Sequence, residues 1–170
     1  NFGPADSGTF NVGANEDVPQ GLSFNQDGTK LFIVGSETGK VSQYSLSTPY
    51  DINSAITFNG SYEISQDQFV SDVAFSNDGS TMFVLAFGFG TDRVYQFGLG
   101  TPFDITAGVT FQKVSPGIGF DSNPIGLAFN SDGTKIFIAG GASDIFAEYT
   151  VGSAYDVATW TAGSSYNVAD

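Results

Sequence analysis

The side chains able to do chemistry in this sequence form a narrow set. The 170 residues include no histidine and no cysteine. That removes the commonest general base, any Ser-His-Asp arrangement, disulfides and thiolate metal sites. Eighteen Asp and Glu remain, which in number could supply the carboxylate pair of a glycoside hydrolase. The acids that recur sit in turns, however. Asp27, Asp78 and Asp132 each precede a glycine (Gly28, Gly79, Gly133), and Asp51, Asp104 and Asp156 each follow an aromatic residue. A carboxylate repeated in every copy of a unit answers a turn requirement rather than marking one convergent site. The same Asp-Gly turns lack the further carboxylates and the distal Glu of a calcium loop. The residues therefore point to a protein that is not an enzyme and has neither cofactor nor metal.

One segment is individual. Ala86-Phe87-Gly88-Phe89-Gly90-Thr91-Asp92-Arg93 places two aromatics in a glycine-rich loop beside an acid and the chain's one arginine. Phe87, Phe89, Asp92 and Arg93 are the candidate ligand- or partner-binding residues, either stacking on a sugar or covering a seam between sheets or subunits.

Charge excludes other partners. The net charge is −13, and Lys30, Lys40, Arg93, Lys113 and Lys135 are the five cations. Nucleic-acid binding needs clustered Lys and Arg to replace phosphate counterions, and these are scattered. No apolar run reaches the roughly 20 residues of a spanning helix, so no membrane insertion is expected. A first residue other than Met leads us to expect a processed or trimmed chain in an extracellular or virion-surface setting.

The elements that must position these residues come from a repeat. Gly21-Leu-Ser-Phe-Asn-Gln-Asp-Gly, Asp72-Val-Ala-Phe-Ser-Asn-Asp-Gly and Gly126-Leu-Ala-Phe-Asn-Ser-Asp-Gly superimpose, and each continues into an apolar run. The Asp-Gly pairs are 51 and 54 residues apart. A second marker follows in each copy: Thr48-Pro-Tyr-Asp-Ile52, Thr101-Pro-Phe-Asp-Ile105 and Ser153-Ala-Tyr-Asp-Val157. Each unit reads as four antiparallel strands. A first strand of small and apolar residues meets an Asp-Gly hairpin turn, whose glycine accepts positive φ. A second strand apolar on both faces fits between neighbouring sheets. The second marker separates strands three and four, its aromatic plugging a gap between sheets and its aspartate forming an Asx-turn.

The run Gly-Leu-x-Phe-x-x-Asp-Gly-Thr-Lys-x-Phe-x-x-Gly resembles β-propeller blades of the YVTN and NHL type. The Thr-Pro-Phe-Asp-Ile run is similar to repeats of aquatic phage virion and tail proteins and of secreted bacterial proteins. The resemblance covers nearly the whole chain from about Thr9. It implies one all-β domain over residues 1–170: an N-terminal strand at 8–13, then three tandem four-stranded blades at about 19–65, 70–115 and 124–169. They form half a propeller or part of a larger one.

Three blades leave two apolar faces unmatched, so a homo-oligomer or filament is expected. The function expected at this point is a self-associating, non-enzymatic building block of a virion, fibre or extracellular surface. A carbohydrate-binding adhesion module, with glycans as ligands, is the alternative.

Overall fold

In the computed structural model, residues 8–88 and 92–167 are described. They form three four-stranded antiparallel sheets, each with its strands in sequence order. Blade 1 holds β1 (Pro19–Phe24), β2 (Lys30–Gly35), β3 (Lys40–Leu46) and β4 (Ile56–Glu63). Blade 2 holds β5 (Val70–Phe75), β6 (Thr81–Ala86), β7 (Arg93–Gly98) and β8 (Thr110–Val114). Blade 3 holds β9 (Pro124–Phe129), β10 (Lys135–Gly140), β11 (Ile145–Val151) and β12 (Trp160–Asn167), with a 3-10 turn at Val157–Thr159. The fold is all-β, and the three sheets do not close into a ring.

The doubly apolar second strand has the expected cause. In blade 2, Met82, Val84 and Ala86 join Phe32, Val34, Val41 and Val73 in the core shared with blade 1. Phe83, Leu85 and Val94 point the other way, into the core shared with blade 3. The middle sheet is thus buried on both faces, and each fully buried side chain there contributes about 1.5–3 kcal/mol. Phe24, Phe75 and Phe129 hold equivalent places at the ends of β1, β5 and β9 but are only half-buried, whereas Phe32, Phe83 and Phe97 are fully enclosed.

The two sequence markers of each repeat meet in space. The N–H groups of Tyr50, Phe103 and Tyr155 donate to the carbonyls of Gly28, Gly79 and Gly133 at 3.0, 2.9 and 2.8 Å. All three aromatics carry a positive φ (57°, 53° and 60°), an uncommon backbone conformation for such residues. Their rings lie on the glycines, leaving no room for a Cβ: one at Gly79 would stand 2.1 Å from the Phe103 ring. Each ring also packs on its own blade's first-strand Phe (Tyr50 on Phe24, Phe103 on Phe75, Tyr155 on Phe129) at 5.3 to 5.5 Å between centroids.

Residues 8–13 form no strand, contrary to expectation. No described strand stands beside them to complete a ladder. Instead Val12 O accepts the N–H groups of Asn15 (2.8 Å) and Glu16 (3.0 Å) in a turn. Phe10 packs edge-on against Tyr44 at 5.3 Å, and Val12 lies against Leu31, Ile33, Tyr44 and Leu46. The segment covers part of blade 1's outer face.

Candidate functional site

The innermost strands β1, β5 and β9 come from three different sheets, yet Cα atoms of β5 lie within 8 Å of both others, and some of β1 lie within 8 Å of β9. Such crowding requires small residues. A Cβ on Gly21 would stand 2.5 Å from Ser71 O and 2.6 Å from Asp72 Cα. At the place that Gly21 and Gly126 take in the other repeats, blade 2 carries Asp72. Its Oδ1 accepts from Val73 N at 2.8 Å and its Oδ2 from Leu127 N of blade 3 at 2.7 Å, while Oδ1 also lies 2.6 Å from where a Gly21 Cβ would stand. One carboxylate therefore touches all three inner strands.

Burial raises the Asp72 carboxyl above its ordinary value, with the Leu127 and Val73 N–H groups opposing that rise. Asp72 is the one ionisable residue on β1, β5 and β9. A carboxylate at once desolvated and oriented can take a proton from a bound water more readily than an exposed one.

The sequence-derived loop candidates have local partners. Phe87 is half-buried, its ring 6.1 Å from Phe69 and its N–H on Phe69 O at 2.9 Å. Arg93 donates to Ser115 O at 2.7 Å, which ties its guanidinium to the main chain. Asp92 accepts from Gly88 N at 3.2 Å. Phe89 lies outside the described residues.

Asp92 does line an open cleft of about 510 Å³ with Phe120, Asp121 and Ser143. The second acid there is already engaged: Asp121 accepts from the backbone N–H groups of Asn123 (2.6 Å), Ser143 (2.8 Å) and Ala142 (3.3 Å). Burial pushes the Asp121 carboxyl up, but those N–H groups outweigh it and hold the group below its usual value. The same device recurs at Asp67, which accepts from Phe69 N at 3.1 Å. At Glu16 it accepts from Val18 N at 3.0 Å and from the Thr38 hydroxyl. The cleft acid is thus one of three blade anchors. Sequence reading missed all three, although each stands three residues before a first strand.

The recurring turn aspartates are likewise engaged locally. Asp27, Asp78 and Asp132 accept from the N–H groups of Thr29, Ser80 and Thr134, each at 3.0 Å. Asp51, Asp104 and Asp156 accept from Asn53, Thr106 and Ala158 N–H groups two residues on. Gly28, Gly79 and Gly133 all have φ of 70°.

No protein-family model and no curated protein matches the chain. Solved structures do. A periplasmic gluconolactonase from Pseudomonas aeruginosa superimposes with a TM-score of 0.63 at 18% identity, over 88% of this chain and 40% of that one. A 6-phosphogluconolactonase-like protein from Bacteroides fragilis gives 0.62 at 14% identity, over 88% and 39%. The Cps50 (Swd1) β-propeller domain of Myceliophteria thermophila gives 0.53 at 8%, over 88% and 43%.

These likenesses establish the class as β-propeller, and the chain spans about two fifths of the length of the propellers it matches. They also correct the functional expectation. The non-enzymatic building block, with its glycan-binding alternative, rested on absent catalytic chemistry and on phage and surface-protein repeats. Several of the neighbours are instead named as gluconolactonase or 6-phosphogluconolactonase-like proteins. Asp72 recurs in no other copy.

Proposed function

We propose that these blades belong to a propeller that hydrolyses a sugar-acid lactone, with Asp72 as the general base. The observation that supports this reading is a single ionisable side chain set among the three innermost strands. The chemistry asked of it is modest. Water attacks the lactone carbonyl carbon, its proton passes to the Asp72 carboxylate, and the ring C–O bond breaks. The ring oxygen leaves as a hydroxyl after taking up a proton, and the product is the open-chain acid.

The chain's electrostatics favour an unphosphorylated lactone. Phosphate recognition calls for Arg, Lys or a helix N-terminus. Lys30, Arg93, Lys113 and Lys135 are held by Phe103 O, Ser115 O, Asp156 and Glu148. A charge of −13 further disfavours a dianionic substrate.

The test is acid release from glucono-δ-lactone in a pH-stat at mildly acidic pH, where spontaneous hydrolysis is slow. The intact protein is expected to exceed background, and Asp72→Asn to lose about 10²- to 10⁴-fold of the catalysed rate. Its far-ultraviolet spectrum should be unchanged. No rate above background, or an Asp72→Asn variant as fast as the parent, overturns the reading.

A further inference from the structure

Both internal blade junctions are built from the same parts. Between blades 1 and 2, Phe32 packs on Phe75 at 4.4 Å and Phe75 on Phe103 at 5.4 Å. Between blades 2 and 3, Phe83 packs on Phe129 at 4.3 Å and Phe129 on Tyr155 at 5.5 Å. The earlier blade contributes one ring and the later blade two. Polar contacts repeat in step. Gln43 Oε1 accepts from Ile105 N at 2.9 Å, and Gln96 Oε1 from Val157 N at 3.3 Å. Gln26 donates to Asn77 O in the first junction, and Asn77 donates to Ser131 O in the second.

The two outer faces carry the unmatched halves of this junction. Blade 3 presents Phe137, opposite Glu148 on the neighbouring strand, as Phe32 stands opposite Gln43 and Phe83 opposite Gln96. Among the described residues, Phe137 meets no ring of another blade and stacks on Phe146 of its own sheet, at 5.7 Å and 6°. Blade 1 presents the two-ring half, Phe24 and Tyr50, 5.3 Å apart, with Tyr50 57% exposed. Beside them Ile52, the counterpart of Ile105 and Val157, is exposed. Lys135 stands at the position of Lys30, whose ammonium reaches Phe103 O across the first junction at 2.7 Å.

We propose that the partner of these faces is a second copy of this chain, blade 3 of each seating on blade 1 of the other to close a six-bladed ring. Phe137 completes the aromatic cluster with Phe24 and Tyr50 of the second copy. The Glu148 carboxylate accepts from its Ile52 N–H, and the Lys135 ammonium turns to its Tyr50 carbonyl. A twofold contact uses both faces of both copies and leaves none open, so assembly stops at two. Residues 8–16 already follow the path that a preceding blade's last strand takes at such a seam. Phe10 stands on Tyr44 as Tyr62 stands on Phe97, and Glu16 N bonds Val12 O as Asp67 N bonds Ile64 O. The partner's Tyr166, 65% exposed on β12, must displace Phe10 or stay outside. Twofold symmetry sets blade 2 against blade 2, so the two Asp72-bearing strands face each other across one axis. The seam itself does not depend on the lactone reading.

Sedimentation of the intact chain at low and high salt tests the closure, since the charge opposes association most at low ionic strength. The expected result is a species of twice 17.8 kDa at high salt, reverting to 17.8 kDa in Phe137→Glu with an unchanged far-ultraviolet spectrum. The sequence has no cysteine, so a Phe24→Cys/Phe137→Cys double variant gives a second readout with a short bismaleimide. A single covalent dimer band is expected. A 17.8 kDa mass at every concentration and salt, a Phe137→Glu variant that remains dimeric, or a crosslinked ladder beyond the dimer overturns the proposal.

Discussion

Tyr50 donates its backbone N–H to Gly28 O at 3.0 Å and lays its ring on the same glycine, joining residues 22 positions apart in the chain. The Tyr50 hydroxyl reaches on to Gln26 O at 2.6 Å, so ring and backbone together clamp the Asp-Gly turn. Phe103 and Tyr155 form the same ring-on-glycine contact with Gly79 and Gly133. The glycine is therefore required twice, by its φ of 70° and by the ring above it. Gly79→Ala is expected to cost about 2–5 kcal/mol, combining backbone strain with overpacking. Urea denaturation checks it, and a loss below about 0.5 kcal/mol would contradict the clamp.

The junction phenylalanines should rank by enclosure. Phe83 is fully buried between blades 2 and 3, and Phe83→Ala is expected to lose about 3–5 kcal/mol. Phe24→Ala in the monomer should lose markedly less, because Phe24 is half-buried and no other blade among the described residues packs on it. Equal losses in denaturant midpoints would mean that blade 1's outer face is better covered than described.

Acid should act through the anchors. The folded-state value of Asp121 lies below the ordinary 3.8, so its contribution is fully present above that value and is lost as pH falls through the folded one. Asp121→Asn leaves backbone donors underpaired and is expected to cost about 1.5–3 kcal/mol at neutral pH. Measured by thermal melts across pH, the gap between parent and variant should shrink below about pH 3.8, where the parent's carboxylate is also protonated. A gap that widens on acidification would contradict the assigned direction.

The repeat made much of this molecule legible before any coordinates. The Asp-Gly pairs and the Thr-Pro-aromatic-Asp runs give strand order and blade number, because turn chemistry is local. Residues 8–13 misled because an alternating pattern such as Thr9-Phe10-Asn11-Val12 specifies a strand only where a partner ladder exists. Glu16, Asp67 and Asp121 escaped notice because the residues after them differ in every copy (Asp17-Val18, Gln68-Phe69, Ser122-Asn123), although each accepts from a backbone N–H two residues on. Asp72 was visible as the one non-glycine at its aligned position. Its meaning depends on three strands from three sheets converging, which no local pattern encodes. Function was the least legible part. Recurrent acids were read as turn formers, and that reading obscured Asp72, the one acid on the three inner strands.

The account rests on Asp72 being both desolvated and open to ligand at the axis. The direct measurement is a carbon-13 titration of its side-chain carboxyl, with and without gluconate, the product of the proposed reaction. Burial predicts a midpoint above the ordinary 3.8, and gluconate, whose carboxylate is a like charge, should raise it further. A midpoint at or below 3.8 that ignores gluconate would contradict both the environment assigned to Asp72 and its proposed role.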